Sequence, residues 1–334
     1  GLMGAFGVAL EIKEGLRLGL IEEQAFDLVE LADREVKYLE PFVCHGGAEK
    51  CDRKCKIAQI VINGTKHPFG GACNRWYNLR QNKDWVAADF DHIEERQKLV
   101  FDRALPEHGR AIGLNRSFIT HTHYPFYHAF FSELGFRVVM PESASSAGVD
   151  RKNASFCYPY EISHGMFMSL LAMNPEWIFL PHVQELPVKG VRHRKNTCPF
   201  VQSEQYVLQA TFREELRGRK VLSPMLNFGH GLRSQKREFF EIARQMGASR
   251  RAAAKAFDRA CAVQEECEAA VTARAREVVA GLDKSGDFGV VIFGRAYNAY
   301  PHEANMAIPH KFASRGIHVI PCTAQPWETQ EPHP

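Results

Sequence analysis

Apolar side chains recur at helical spacing near the start of the chain and then become sparse. Over residues 3–38, positions such as Leu10 and Leu16 stand among acidic and basic residues, which predicts two short helices. Residues 41–80 carry few aliphatic side chains, and glycines mark turns through them. A helical pattern returns over residues 85–104 and predicts a connecting helix.

From residue 110 onward, short apolar runs alternate with amphipathic stretches, which predicts strands separated by helices. A β-α-β-α-β order of this kind is typical of a parallel sheet with helices on its faces. A second series of strands and helices begins near residue 219. The predicted strands cover residues 110–117, 136–142, 176–183, 220–229, 289–298 and 318–322, and the predicted helices cover 124–135, 157–173, 234–247, 249–282 and 308–316.

These elements predict an α/β fold, with two Rossmann-like parallel-sheet units preceded by helices and a small cysteine-rich module. The predicted divisions are residues 1–40, 41–84 (the cysteine-rich module), 85–109 (the connecting helix), 110–218 and 219–334. Ligands of open parallel sheets bind outside the carboxyl ends of the strands. The residues that follow predicted strands are therefore site candidates: Asn115, Ser117, Glu142, Ser143, His182, Glu185, Gly294, Arg295, Tyr297 and Cys322.

Composition narrows the class of protein. Of the 334 residues, 45% are hydrophobic and 24% are charged, which is ordinary for a globular protein. A net charge of +3 is too mild to favour nucleic-acid binding. No apolar run approaches the roughly 18 residues that span a bilayer. Nine cysteines without a secretion signal predict a reducing, cytoplasmic compartment. We therefore expect neither a nucleic-acid partner nor membrane association.

Four cysteines, Cys44, Cys51, Cys55 and Cys73, lie within thirty residues at the spacing C-x6-C-x3-C-x17-C. Cysteine usually behaves as a small buried hydrophobe, but this stretch is polar and rich in glycine. We therefore predict that the four are thiolate ligands of a metal, either structural zinc or an iron–sulfur cluster. The spacing does not choose between these metals, and four unrelated thiols remain an alternative.

A second set of cysteines is dispersed over the α/β part of the chain. Cys157, Cys198 and Cys322 each lie at the boundary of a predicted element, where loops at one edge of the sheets could bring them to a shared cluster. The alternative is three buried or separate thiols. Cys261 and Cys267 are six residues apart on one long helix, so we expect them to pack in the core.

The histidines His121, His123 and His128 lack the i, i+4 spacing that places two metal ligands on one helix face, so we expect surface or capping roles for them. His164 follows Cys157 by about two helical turns. It is either an aid to a nearby site or a core histidine. The chain has no G-x-G-x-x-G, no P-loop, no G-x-S-x-G and no H-E-x-x-H.

Several segments taken together resemble the acyl-CoA dehydratase activase-related family. They are FGGACNRWYN, YPFYHAFFSELGFRVV, SFCYPYEISHG, NTCPFVQSE and the stretch from VIFGRAYN to GIHVIP, in that order. The resemblance covers nearly all of the chain from about residue 41 onward. It implies that residues 1–40 are the helical tail of a preceding ATPase domain and that the chain is a piece of a longer polypeptide, truncated in its second α/β unit.

The resemblance also implies a cofactor. The α/β segment is similar to dehydratase subunits that hold a 4Fe–4S cluster between Rossmann-like domains, and Cys157 and Cys198 match family cysteines. His182 stands where relatives often have a cysteine, and Cys322 stands where many have none. The cluster ligands implied are Cys157 and Cys198, with Cys322 or His182 as a third. The cysteines at 44, 51, 55 and 73 would form a separate site.

The function implied is that of an iron–sulfur part of a dehydratase/activase-type protein. ATP hydrolysis, in the ATPase domain of the same polypeptide or in an activator protein, would drive low-potential electron transfer to a CoA thioester or a similar small molecule. The alternative is a non-catalytic scaffold in which the four-cysteine module holds structural zinc and the α/β units dock partner proteins. Whether the chain is itself an enzyme stays open.

Overall fold

The computed structural model describes residues 2–23, 25, 27–46, 53–73, 75–76, 85–104, 109–152, 156–188 and 195–322. The chain divides into two compact units, residues 1–83 and residues 84–334. Within the described part of the chain, no helix is both long and apolar enough to cross a membrane.

The first unit contains two helices and an antiparallel sheet. Its elements are α1 (Leu2–Arg17), α2 (Leu28–Asp33), β1 (Val36–Val43), β2 (Lys56–Ile62) and β3 (Thr65–Phe69). The strands pair in chain order. Asn63 and Gly64 both have positive φ between β2 and β3, as a two-residue hairpin turn requires. Both predicted helices are present, but the sheet was not predicted, and residues 36–38 belong to a strand.

A four-stranded parallel sheet is the centre of the second unit. In spatial order its strands are β5 (Phe136–Val139), β4 (Arg110–Leu114), β6 (Trp177–Phe179) and β8 (Lys220–Leu222). The chain passes from β4 to β5 on one side and reaches β6 on the other side of β4. The strand order therefore reverses between β4 and β6, which is where ligands of such sheets bind.

Two short strands extend this sheet. The strands β7 (His182–Val183) and β9 (Met225–Leu226) form a parallel pair that follows β6 and β8 along the chain. Pro181 and Pro224 directly precede these two strands. Between the β6–β8 pair and the β7–β9 pair, the Leu180 N–H donates to the Leu222 carbonyl at 2.9 Å. Since β8 pairs with β6, the strand placed at the start of the predicted 219–334 unit completes the sheet of the 110–218 unit.

The helices of the second unit cover the sheet and join its strands. They are α3 (His92–Phe101), α4 (Thr120–Glu133), α5 (Ser146–Val149), α6 (Tyr158–Ala172), α7 (Pro199–Thr211), α8 (Lys236–Gln245) and α9 (Arg250–Ser285). The largest buried cluster is aromatic and centres on α4, whose Phe126 and Phe130 both contact Phe239 on α8 edge to face. Phe131 on α4 contacts Phe179 on β6 in the same manner, so helix α4 is fixed against the sheet.

A second, two-stranded parallel sheet pairs β10 (Gly289–Ile292) with β11 (His318–Pro321). Three short helices connect these strands: α10 (Ala296–Ala299), α11 (His302–Asn305) and α12 (Ile308–Ala313). The predicted strand at 289–298 therefore ends at Ile292, and a turn over residues 293–295 leads into α10. Both α/β sheets are parallel, as the predicted α/β fold class requires, and that class is confirmed.

Two further expectations need correction. The long helix α9 was predicted over residues 249–282, but it continues to Ser285, and Gly286 closes it in the left-handed conformation that glycine favours. His121, His123 and His128 were expected in surface or capping roles, but all three lie buried on α4. Burial lowers the pKa of His121 to about 3 and that of His123 to about 4, so both are neutral core residues.

Candidate functional site

The reversal point between β4 and β6 carries a cluster of polar side chains around one carboxyl group. Glu204 Oε1 accepts hydrogen bonds from Asn115 Nδ2 at 3.0 Å, from Ser163 Oγ at 2.8 Å and from Ser117 Oγ. The Asn115 Nδ2 group also donates to the Ser163 carbonyl oxygen at 3.2 Å. We call Asn115, Ser117, Ser163 and Glu204 the switch-point cluster.

Three elements supply this cluster. Asn115 and Ser117 follow β4 directly, Ser163 lies on α6, and Glu204 lies on α7. Asn115 and Ser117 are 3% and 4% exposed, and Ser163 is 1% exposed, so water does not compete for these hydrogen bonds. The cluster therefore ties the starts of two helices to the carboxyl end of the first parallel strand.

Close backbone packing fixes α6 at this position. A Cβ on Gly165 would lie 2.9 Å from the Ser145 carbonyl oxygen and 2.8 Å from the Ala144 Cβ. A Cβ on Gly148, in α5, would lie 2.7 Å from the His164 carbonyl oxygen. Only glycine allows these approaches. Gly165 lies two residues after Ser163 in α6, and Gly148 of α5 packs against the same segment.

The Glu204 carboxyl group differs electrostatically from a surface carboxylate. The residue as a whole is partly exposed, but its carboxyl group is set among the three donors. Burial raises the pKa of Glu204 above its usual value of 4.5, and the hydrogen bonds from Ser117, Ser163 and Asn115 oppose that rise. The protonated form is therefore favoured more than at the surface.

Two of the predicted cysteines begin the same two helices. Cys157 is the N-cap residue of α6 and Cys198 is the N-cap residue of α7, and each is followed by a proline in the first turn. Ser163 lies six residues beyond Cys157, and Glu204 lies six residues beyond Cys198, about 9 Å along each helix. Both thiols are half-buried.

The turn after β10 interacts with two of the predicted cysteines. Arg295 Nη1 donates to the Tyr297 hydroxyl at 3.1 Å, and the Arg295 guanidinium interacts electrostatically with the Cys198 side chain. Burial raises the pKa of Tyr297, Arg295 opposes that rise, and electrostatic interactions with Cys198 and Cys157 add to it. The hydrogen bond that Arg295 donates to the Tyr297 hydroxyl raises the pKa of Arg295, so the guanidinium stays charged.

Cys322 reaches the other end of this turn. Its Sγ lies 3.7 Å from the Gly294 carbonyl oxygen and 3.4 Å from the Tyr300 hydroxyl. Gly294 directly precedes Arg295. Residues 294–297, which we call the GRAY turn, therefore contact Cys322 at one end and interact electrostatically with Cys198 and Cys157 at the other.

His182 lies apart from these contacts. Its ring packs against Tyr206 on α7, with the ring centroids 5.7 Å apart, and its buried Nδ1 has no hydrogen-bond partner among the described residues. No hydrogen bond or ring contact joins it to a described cysteine. Across the described residues, no three histidine, cysteine, aspartate or glutamate side chains are placed closely enough to hold a metal ion.

In the first unit, a backbone hydrogen bond pairs two of the four N-terminal cysteines. The Cys44 N–H donates to the Cys55 carbonyl at 2.8 Å, which extends the β1–β2 ladder by one pair. A Cβ on Gly71 would lie 3.7 Å from the Cys55 Cβ, and Cys73 follows two residues later. All three are half-buried. Cys51 lies outside the described residues.

Sequence reasoning identified Asn115 and Ser117 but missed Ser163 and Glu204. The missing element was helix α7, which covers PFVQSEQYVLQAT after Cys198. Val201, Gln205 and Leu208 are buried in this helix at positions i, i+4 and i+7. This is the spacing of one helix face, and it can be recognised in the sequence. Glu142, another candidate, lies outside the cluster: its carbonyl oxygen is 3.5 Å from Arg116 Nη1.

A comparison with family models gives one match. Residues 111–324, more than half of the chain, match the model of the CoA enzyme activase uncharacterised domain. The matched range includes Cys157, Cys198 and Cys322, and it starts after the four N-terminal cysteines. No curated protein and no solved structure matches the chain significantly. The match over this range shows that the chain belongs to the family of the CoA enzyme activase uncharacterised domain.

Proposed function

We propose that this activase-type chain is the iron–sulfur part of a system that delivers low-potential electrons to a CoA thioester or a similar small molecule. Cys157 and Cys198 would hold a cluster, of the 4Fe–4S type, with Cys322 as the third ligand; His182 is the less favoured choice. The carrying observation is that Cys322 Sγ contacts Gly294 of the GRAY turn, while Arg295 and Tyr297 of the same turn interact electrostatically with Cys198 and Cys157.

The chemistry of these residues fits an iron–sulfur cluster. Thiolates are its ordinary protein ligands, and the three cysteines come from the start of α6, the start of α7 and the end of β11. Hydrogen bonds to sulfur and nearby charge tune the reduction potential of such a cluster. Arg295, which interacts electrostatically with Cys198, would be one of the groups that tune it. When bound, the cluster would supply one-electron transfer.

Cys322 is favoured over His182 because of its contacts. Cys322 Sγ touches Gly294, the residue next to Arg295, whereas the ring of His182 packs against Tyr206. The His182 ring is held in a contact with α7 rather than with the GRAY turn. The substitution Cys322→Ser should therefore lower cluster content more than His182→Ala.

An ATPase domain, in the same polypeptide or in an activator protein, is the proposed partner. Helix α1 presents apolar side chains to solvent, among them Phe6 at 60% exposure and Leu10 at 50%. Exposed apolar surface of this kind fits docking against another protein domain. ATP hydrolysis there would provide the energy that a low-potential transfer requires.

Metal analysis of protein purified without oxygen tests the proposal. We expect iron and acid-labile sulfide at about four per chain for a 4Fe–4S cluster. Both should be lost in Cys157→Ser/Cys198→Ser and kept in Cys51→Ser/Cys55→Ser. Cys261→Ser is the matched control, because burial raises the pKa of that thiol to about 11 and keeps it protonated. Loss of iron only in the Cys51→Ser/Cys55→Ser variant would show that the redox centre lies in the first unit.

A second candidate function is a scaffold with a structural zinc site. It is favoured by the direct pairing of Cys44 with Cys55 at the end of the β1–β2 ladder and by the nearness of Gly71, two residues before Cys73. Zinc at about one per chain, lost in Cys51→Ser/Cys55→Ser and without iron, would support this function and exclude the first. Both metals together would show that the two sites coexist.

A further inference from the structure

Two histidines join helix α3 to the two-stranded parallel sheet. His92 is the first residue of α3, and its Nε2 atom lies 2.9 Å from Nδ1 of His318, the first residue of β11. The planes of the two rings are 4° apart, and their centroids are 5.2 Å apart. His92 is 5% exposed, so water competes little for this hydrogen bond. We call His92 and His318 the histidine pair.

The contact with Glu95 fixes which nitrogen of His92 carries a proton. An imidazole nitrogen donates when it is protonated and accepts when it is not. His92 Nδ1 lies 2.9 Å from Glu95 Oε2, and the other oxygen of this carboxylate accepts from Arg274 Nε at 2.8 Å. A carboxylate only accepts, so His92 Nδ1 is protonated. The Nε2 atom of neutral His92 is therefore bare, and it accepts from His318 Nδ1–H.

The histidine pair tolerates one added proton but not two. With one added proton, one ring is a cation and the other still offers a bare nitrogen, so a single proton remains between the rings. With two added protons, both facing nitrogens are protonated, and repulsion between two cations replaces the hydrogen bond. The contact is therefore lost at the second protonation.

The charges around the pair favour one added proton over two. Glu95 is bonded to the pair, but its charge is shared with Arg274 on α9. Burial lowers the pKa of His318, and the charges of His92 and Arg274 lower it further. Asp287 opposes this shift. Among the described residues, the charged groups that face the pair are Glu95, Arg96, Arg274 and Asp287.

A second histidine contact on α3 responds to acid in the opposite direction. His302 Nε2, on α11, lies 2.8 Å from Glu94 Oε2. This hydrogen bond raises the pKa of His302 and lowers that of Glu94, so protonation of His302 strengthens the contact. Asp91, at the same end of α3, interacts electrostatically with His302 and His310. Acid therefore weakens the histidine pair while it strengthens this neighbouring contact.

The histidine pair lies beside the backbone hydrogen bond that attaches β11 to the start of α3. The Val319 N–H donates to the Phe90 carbonyl at 2.8 Å, and Asp91 forms a parallel bridge with Val319. His318 directly precedes Val319, and His92 directly follows Asp91. Loss of the pair would therefore weaken the attachment of β11 to α3.

We propose that the histidine pair is an acid-sensitive latch, which holds β11 against α3 while at most one ring is charged and opens when both rings are charged. The latch stands apart from the proposed function, because it involves neither a metal nor a substrate. Since Cys322 directly follows β11, opening of the latch would loosen the strand end next to this cysteine.

Hydrogen exchange of the peptide that spans residues 317–322, measured by mass spectrometry on the whole chain without metal, tests the latch. The measurement covers about pH 5 to pH 8, where histidines titrate. After correction for the intrinsic pH dependence of exchange, the opening constant should stay level at the upper end of this range. Below the ordinary histidine value of 6.5, it should rise by up to about tenfold for each unit that pH falls, because opening takes up one proton.

The variant His318→Asn separates the latch from the fold. Its side-chain amide offers both a donor and an acceptor to His92 Nε2 and does not titrate, so the opening constant should stay low at every pH. His230→Asn is the matched control, because His230 is exposed and lies outside the pair. That variant should show the same acid-induced rise as the wild type.

A wild-type opening constant that does not change with pH, or an acid-induced rise that persists unchanged in His318→Asn, would overturn the proposal. If His318→Asn does not fold, the ring-nitrogen chemical shifts of the wild type decide. We expect one protonated nitrogen between the two rings at about pH 7 and two at the pH where exchange rises. Two protonated facing nitrogens without a rise in exchange would also overturn the latch.

Discussion

Ser163 Oγ lies 2.8 Å from Glu204 Oε1, so a side-chain hydrogen bond joins the helix that begins at Cys157 to the helix that begins at Cys198. The bond connects α6 and α7 about six residues inside each helix. Any movement of one helix start relative to the other would therefore strain this contact. The polar cluster and the cysteine pair are parts of one framework at the carboxyl edge of the sheet.

The buried carboxyl group predicts a pH dependence of stability. Because the pKa of Glu204 is raised in the folded state, the fold binds a proton more tightly than the unfolded chain does. This contribution is complete below the unfolded value of 4.5 and is lost as pH rises through the folded pKa. Glu204→Gln should lose this dependence, so its stability relative to wild type should increase with pH until a plateau. Urea unfolding at a series of pH values measures the difference, and a constant difference would contradict the account.

Gly165 provides a test of the packing that presents Ser163. A Cβ there would meet the Ser145 carbonyl and the Ala144 side chain, so Gly165→Ala should cost about 1–3 kcal/mol of unfolding free energy. Gly281→Ala is the matched control, because Gly281 lies in helix α9 with nothing within 4 Å of its Cβ position. That variant should gain about 0.4–1 kcal/mol. Equal effects at the two positions would rule out a close approach at Gly165.

The pair Arg295 and Tyr297 should show coupled energetics. Their hydrogen bond of 3.1 Å holds the GRAY turn beside Cys198. In a cycle of Arg295→Ala, Tyr297→Phe and the double variant, we expect a coupling free energy of about 0.5–1.5 kcal/mol in metal-free protein. Thermal or urea unfolding gives the values. Additive effects would mean that the two side chains do not hold the turn together.

The cysteines should divide into two classes by reactivity. Burial raises the pKa of Cys261 to about 11 and also raises the pKa of Cys267, so both thiols stay protonated in the core. Cys157, Cys198 and Cys322 are only half-buried. Brief alkylation of native, metal-free protein followed by peptide mass spectrometry should label the latter three first. Early labelling of Cys261 would contradict the core packing described.

Local patterns in the sequence were enough for the α/β class. Short apolar runs such as WIFL between helical stretches mark the parallel strands, and the aromatic run of α4 marks the main core. The antiparallel sheet of the first unit was missed because β1 is largely exposed on both faces and contains Pro41, so it shows no alternation of apolar and polar positions. The Asn63-Gly64 pair was the one local sign of a hairpin.

The candidate site could be predicted only in part from the sequence, because its residues come from distant segments of the chain. The rule that ligands bind at the ends of parallel strands identified Asn115 and Ser117 from their position after β4. It could not identify Ser163 and Glu204, which lie inside helices and reach the same edge only through the tertiary fold. The buried histidines of α4 were misjudged for the same reason, since the ring of His121 contacts Phe101 of α3 and that of His123 contacts Phe228, both distant in the sequence.

The central claim is that Cys157 and Cys198 hold a redox-active iron–sulfur cluster beside the GRAY turn. Its most direct test is the electron paramagnetic resonance spectrum of protein purified without oxygen and reduced with dithionite. We predict the signal of a reduced iron–sulfur cluster in the wild type and in Cys261→Ser, and its loss in Cys157→Ser/Cys198→Ser. A signal unchanged in that double variant, or no signal from a wild-type protein that contains only zinc, would contradict the account.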